Sequence, residues 1–367
     1  MAWIAGMGLA ALMSCAQPST KEATPAAAYD INLDSAYQAF PQVEVVDYIP
    51  LETSDSSLIA GLTKVIAHDD MIYVWDRIQK KVLLFGKDGR YAGGIHRVGQ
   101  GPGEYTEPFD MDVDAAGNVY VYDWNTQSLI KYADGDVSRP EVMKIGEYCM
   151  DVAVTDGYVY LGNIVREGVP AISLAAWDRR THELKVLEEN TLPEAAALPY
   201  EGQYIFRSDS LLAFSERFRP DLLRLTEGEG QAFVSFRSRK LPTDDKVRTL
   251  AAADPMAQMQ ARMQYIMGVS ACYETPEYIW LAFSSVPKIH CLIRKADGNI
   301  AWTDKTVQGL PSANVCAVLG NHFVASFTPS DKSKEAAMAA TTNPDLQKKL
   351  EGLTEESNPV LVVFDVK

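Results

Sequence analysis

The sequence is poor in the residues and patterns that most easily betray a function. It holds five cysteines in 367 residues, with no Cys-x-x-Cys pair and no His/Cys cluster, so a zinc module is excluded. Basic charge is scarce: 34 Lys and Arg face 49 Asp and Glu, for a net charge of −15. A nucleic-acid binder needs a basic patch to displace counterions, and nucleic acid is therefore not an expected partner. There is no Gly-x-Ser-x-Gly elbow and no His-Glu-x-x-His, so the matching hydrolase and metalloprotease chemistries have no carrier. The leading apolar stretch, residues 1–14, is too short to cross a bilayer as a helix. What remains, 47% hydrophobic and 23% charged residues, is the ordinary mix of a folded chain, neither disordered nor collagen-like. Length alone allows two or three domains, or one large β architecture.

Residues 1–14 (MAWIAGMGLAALMS) carry no charge and have the length of a signal-peptide core. Leu12-Met13-Ser14-Cys15 resembles a bacterial lipobox, which implies cleavage before Cys15 and acylation of that residue. No Lys or Arg precedes the apolar run, and a buried helix is the alternative. Residues 15–40, small and polar at first, are expected to be a tether. Cys149, Cys272, Cys291 and Cys316 sit in apolar runs and read as buried free thiols, although export would permit disulfides.

One unit recurs six times. A β-rich run follows a turn signal at Ile72–Asp76, Val119–Asp123, Tyr158–Gly162, Leu211–Ser215, Ile279–Phe283 and His322–Ser326. A second run follows each, as in Val82–Phe85 and Leu129–Tyr132. The period of about 40–50 residues suits a four-stranded blade. The expected fold is all-β, a six-bladed β-propeller over residues 41–367, with an open β-sandwich pair as the alternative. In the second blade the four strands are placed at Phe109–Asp114, Val119–Asp123, Ser128–Ala133 and Glu141–Ile145. The last blade lacks an outer strand, and Val43–Leu51 is expected to pair with Val360–Asp365 and close the ring.

Together with these repeats and Cys15, the string Gly99-Gln100-Gly101-Pro102-Gly103-Glu104-Tyr105 and the ending Asn358-Pro359-Val360 resemble the six-bladed β-propeller lipoproteins abundant in Bacteroidetes, relatives of NHL-repeat propellers. The resemblance implies fold and compartment, a lipid-anchored protein of the cell envelope, and no common activity. Ala16-Gln17 after Cys15 resembles outer-membrane sorting, facing the periplasm. The Gly-rich string itself reads as a tight inter-blade turn. Pro102 removes a donor and Glu104 would repel a phosphate.

Antiparallel strands within a blade put all short turns on one face and all long connections on the other. The long ones are 99–108, 188–202, 237–264 and 328–359. Two contain expected helices, at 254–267 and 332–350. The first carries Met256, Met259, Met263 and Met267 at helical spacing, expected to pack onto the propeller, or to offer an adaptable surface. On the same face lie Arg77, Trp124, Arg166, Arg217 and Arg219, with Gln100, Glu104 and Tyr105 of the string. Guanidiniums and an aromatic on so acidic a protein point to an anionic or sugar-like ligand, unless they only pair with neighbouring acids. No catalytic residue is assigned. Asp76 and Asp123 recur at matching repeat positions and read as turn caps rather than an acid pair. The five histidines stand apart. No cofactor is expected under the leading reading, a non-catalytic binder of an unidentified ligand or envelope protein. The alternative is a calcium-dependent lactonase-like enzyme with an axial metal held by Asp112, Asp151 and Asn314. A third reading is a structural partner of an outer-membrane uptake complex.

Overall fold

In the computed structural model, which describes residues 27–35, 39–200 and 202–367, six antiparallel sheets are arranged as the blades of a propeller. Cys15 and the leading apolar run lie outside the described residues. Blade one spans Lys64–His68, Met71–Asp76, Lys81–Gly86 and Tyr91–Ile95. Blades two to five follow in the same order, from Pro108–Val113 to Asn299–Thr303. The second strand of each blade is buried on both sides, because blades stack on both of its faces. All five residues of Val119–Asp123 are buried, for example. Such strands lose the polar alternation of a half-exposed sheet and read as continuous apolar runs, which is why they dominated the repeat. Placement of the second blade's strands is within a residue at each end: Pro108–Val113, Val119–Asp123, Ser128–Tyr132 and Glu141–Lys144.

The ring closes as expected. Val43–Pro50 pairs antiparallel with Val360–Val366, from Val43 opposite Val366 to Pro50 opposite Val360. The first and last parts of the ring thus share blade six, and Val43–Pro50 covers the outer edge of Val360–Val366. Trp280 of blade five, fully buried, packs edge-on against Phe364 and tilted against Phe323 of blade six, and joins the two blades. A buried aromatic of this size carries several kcal/mol, on the order of 3–5 if truncated to alanine. Cys149, Cys272 and Cys291 are buried free thiols, and Cys316 is half-buried and free.

The tether reading of 15–40 needs correction at one point. Tyr29–Asn32 is a strand, parallel to Glu229–Arg237, and makes blade four five-stranded. Ile31 is fully buried there, and Asp30 pairs with Arg237 at 2.5 Å. Outer strands of blades have free edges, and a short segment with one apolar side chain is enough to cover one.

Every connection longer than ten residues lies on one face: 51–63, 96–107, 190–204, 238–268, 304–314 and 328–359. The helices lie in two of them. α1 is Asp244–Ala251, capped by Thr243. α2 is Pro255–Gln264, capped by Asp254, whose side chain accepts from Met256 N and Ala257 N. α3 is Asp331–Ala339 and α4 is Pro344–Lys348. The methionine stripe does not pack as expected. Met256, Met259 and Met263 are 64%, 63% and 62% exposed, and only Met267, beyond the helix, is buried. The loop helices dock instead through Val247, Leu250 and Ala261 onto Leu192, Ala195 and Leu198 of the 190–204 loop.

The closing strand and the α3 insertion are tied by one buried bond, Tyr48 Oη donating to Ala337 O at 2.6 Å. Tyr48→Phe leaves that carbonyl only the longer bond from Ala340 N at 3.2 Å, and should lower unfolding free energy by about 0.5–1.5 kcal/mol in urea titrations without changing the far-UV spectrum.

Candidate functional site

The inner strands of a propeller splay and cannot continue one another's ladders, so their backbone groups need other partners. Here side chains supply them across blades two to four. Asp110 Oδ2 accepts from Val152 N at 2.9 Å and Asp112 Oδ2 from Val154 N at 2.6 Å. Asp151 Oδ2 accepts from Tyr204 N at 2.5 Å. Cations balance the first two. Lys64 Nζ lies 3.0 and 2.9 Å from the two oxygens of Asp110. Arg207 grips Asp112 bidentately at 2.7 and 2.6 Å. Burial alone would lower the Lys64 pKa, but Asp110, Asp112 and Asp151 outweigh it and hold the ammonium charged. Asp151 has no such cation in contact. Burial, then the Asp110 charge, push its pKa up to about 7.

Above this floor the long-loop face opens into a cleft of two lobes that share Thr63, Lys64, Gly202 and Gln203. Gln203 Nε2 donates across the mouth to Thr63 O at 3.2 Å. The smaller lobe, about 290 Å³, lies over blades one to four. Two buried donors on its lining residues have no hydrogen-bond partner, Trp75 Nε1 and Asn163 Nδ2. Arg217 is hydrogen-bonded to the Tyr204 phenol, and Glu216 to Ser173. Burial raises the Glu216 pKa. Asn163 interrupts strand Tyr158–Arg166 with φ of +52°, at a site skipped by the pairing between Gly162–Leu174 and Ile164–Ile172. The residue bulges out of the ladder, and asparagine is among the side chains that adopt this backbone most readily.

Next to this lobe runs a ladder of rings. The Arg77 guanidinium lies 3.9 Å from the Phe109 centroid. Phe109 and Trp124 are 4.9 Å apart, and Trp124 and Tyr148 5.0 Å. Tyr148 is 39% exposed at the end of the ladder.

The residues expected on this face are partly dispersed. Arg77 and Trp124 belong to the ladder, and Arg77 and Arg217 line the smaller lobe. Arg217 is buried, however, and spends Nη1 on Ala195 O and Leu198 O, so it also roofs the lobe. Arg166 pairs with Glu147 at 2.7 Å, and Arg219 with Asp244 at 2.7 Å. Glu104 and Tyr105 turn inward rather than toward the cleft. Glu104 Oε2 accepts from Gly101 N at 2.9 Å, and Tyr105 Oη donates to Lys80 O at 2.9 Å. A Cβ at Gly99 would meet Glu104 at 2.0 Å, so the string is a self-closed turn. Gln100 is exposed on that turn, outside the lining of both lobes. Asp76 and Asp123 are caps: Asp123 Oδ1 accepts from Thr106 N and Glu107 N, and Asp76 from Ala60 N and Gln79 N.

The axial metal set is not assembled. Asp112 is saturated by Arg207 and Val154 N, Asp151 faces Tyr204 N, and Asn314 accepts from Lys288 Nζ at 3.1 Å in the other lobe. Among the described residues no three His, Cys, Asp or Glu are grouped for a metal ion. Asn163, Trp75, Phe109 and Tyr148 were not singled out from the sequence. Asn163 lies within an apolar run, and only its αL backbone and its place in the blade give it away.

A family described as a domain of unknown function, DUF4934, matches residues 30–365. The chain belongs to this family. Among solved structures, it is similar to a Bacteroides fragilis protein described as exported, with 15% identity, TM-score 0.71, and 92% of this chain and 99% of that one covered. It is also similar to a DUF4221 family member from Bacteroides vulgatus, with 12% identity, TM-score 0.52, and 89% and 99% covered. At these identities the likeness is one of fold. No curated protein matches the sequence.

In this DUF4934 member Asp151 yields a pH test. Its folded pKa near 7 exceeds the unfolded value, so the folded state binds the extra proton between about pH 4 and 7. Its stabilising contribution is present below pH 4 and is lost as pH rises through 7. Asp151→Asn should gain stability relative to the parent over that interval, by at most about 1.4 kcal/mol per pH unit, in denaturation series at fixed ionic strength.

Proposed function

We propose that the protein is an exported, lipid-anchored propeller of the cell envelope that binds a small polar ligand in the cleft of its long-loop face. The carrying observation is a pair of buried donors without partners, Trp75 Nε1 and Asn163 Nδ2, on residues that line a single lobe. Buried polar atoms are nearly always paired, and each one left alone costs about 1–3 kcal/mol. Two beside one cavity are best explained by a ligand that completes them. Free donors favour a ligand rich in oxygen acceptors, and the neighbouring ladder of Phe109, Trp124 and Tyr148 favours a ring that can stack. A sugar-like molecule combines both. The similarity to an exported Bacteroides protein and the Cys15 lipobox support the compartment, and Ala16-Gln17 the outer membrane facing the periplasm. Binding, rather than calcium-dependent hydrolysis, is supported because, of the axial candidates, Asp112 is held by Arg207 and Asn314 by Lys288 in the other lobe.

Isothermal titration with a panel of neutral, amino and acidic monosaccharides tests this. Trp75→Phe removes one donor and keeps an aromatic ring, and Asn163→Gly removes another while accepting the positive φ. Each should weaken the best ligand about tenfold, or about 1.4 kcal/mol, at a temperature where the variant is folded. Affinity unchanged in both variants would refute the site. The anchor is tested separately: Cys15→Ala should shift the protein from the membrane to the soluble fraction, and equal membrane retention would refute acylation there.

A further inference from the structure

The two lobes differ in charge. The larger, about 410 Å³, lies over blades five, six and one and has Lys288, Arg262 and Lys64 in its wall but no Asp or Glu. Lys64 is committed to Asp110 at the shared boundary. The other two are not neutralised. Lys288, just before strand Ile289–Arg294, donates only to the neutral Asn314 Oδ1. Burial holds its pKa below the usual lysine range. Arg262, half-buried on α2, has no hydrogen bond, ion pair or ring contact among the described residues. Ser270 Oγ, on the inner strand of blade five, is buried without a partner. On the same face Lys80 is matched by Glu107, Arg166 by Glu147 and Arg219 by Asp244. In a chain with fifteen more acids than bases, two half-buried cations facing one acid-free cavity need an explanation. A cation taken out of water without a counter-ion is costly, and a bound anion removes that cost.

We propose that the larger lobe is an anion site that takes the carboxylate, sulfate or phosphate group of a small ligand on Lys288, Arg262 and Ser270. This rests on the reading of the cleft as a ligand site and adds the charge class of the ligand. Since the lobes share Thr63, Lys64, Gly202 and Gln203, one acidic sugar can place its ring in the smaller lobe and its acid in the larger.

The test is titration calorimetry at low ionic strength with inorganic sulfate and inorganic phosphate as probes, and with D-galacturonate against D-galactose. The expected result is saturable binding of one anion per chain. Lys288→Gln and Arg262→Gln should each weaken it about tenfold. Lys348→Gln, on exposed α4, should not, which separates a built site from a change in net charge. A free inorganic anion should bind the Trp75→Phe variant as it binds the parent. An acidic sugar lying across both lobes should lose affinity in Trp75→Phe and in Lys288→Gln, and its advantage over the neutral sugar should vanish in the latter. No saturable uptake of any of the four probes that depends on Lys288 or Arg262 would overturn the anion site. If a neutral sugar still binds and responds to Trp75→Phe, only the anion site falls and the smaller-lobe reading stands.

Discussion

The charges buried at the propeller axis constrain everything above them. Inner strands of neighbouring blades diverge, so the N–H groups of Val152, Val154 and Tyr204 need acceptors from another blade, and Asp110, Asp112 and Asp151 provide them. Three carboxylates close to one axis would repel one another, and Lys64 and Arg207 relieve that repulsion. Breaking either pair would leave an uncompensated buried charge, a loss of about 3–5 kcal/mol. The same arrangement occupies the axis over blades one to four. Ligands are therefore met above the axis, under the long loops.

The roof over that floor is built with equal economy of parts. The 190–204 loop is pinned from above by α1 and α2 through Leu192, Ala195 and Leu198, from the side by Arg217, and across the mouth by Gln203. Long connections on one face and short turns on the other follow from strand parity. They let one face accumulate insertions without touching the blades, the usual division between a rigid scaffold and its binding loops. The unpaired donors of Trp75 and Asn163 belong to the smaller lobe, beside the ladder of rings, and the larger lobe is cationic.

Much of the fold was legible because its signals are local and repeated. Turn residues followed by apolar runs marked the second strand of every blade, and the missing outer strand of blade six pointed to Val43–Leu51. Helix α1 escaped notice although Thr243-Asp244-Asp245 is an N-terminal signature. Tyr29–Asn32 escaped because four residues with one buried apolar side chain carry almost no periodicity. The methionine spacing marked a helix face but could not say which side of the helix meets the protein. The site was less legible than the fold. Arg77, Trp124 and Arg217 could be placed by parity alone. The inward turn of Glu104 and Tyr105, the pairing of Arg166 and Arg219 with acids, and the αL backbone of Asn163 depend on contacts between distant segments, which no spacing encodes.

The central claim, that the unpartnered atoms of the smaller lobe await a ligand, is tested most directly by high-resolution electron density in the cleft of the protein crystallised with its best-binding sugar. The account predicts one bound molecule within hydrogen-bond distance of Trp75 Nε1 and Asn163 Nδ2, with its ring beside Phe109. It would be contradicted by a lobe closed on itself, those two atoms paired with protein groups and the sugar elsewhere.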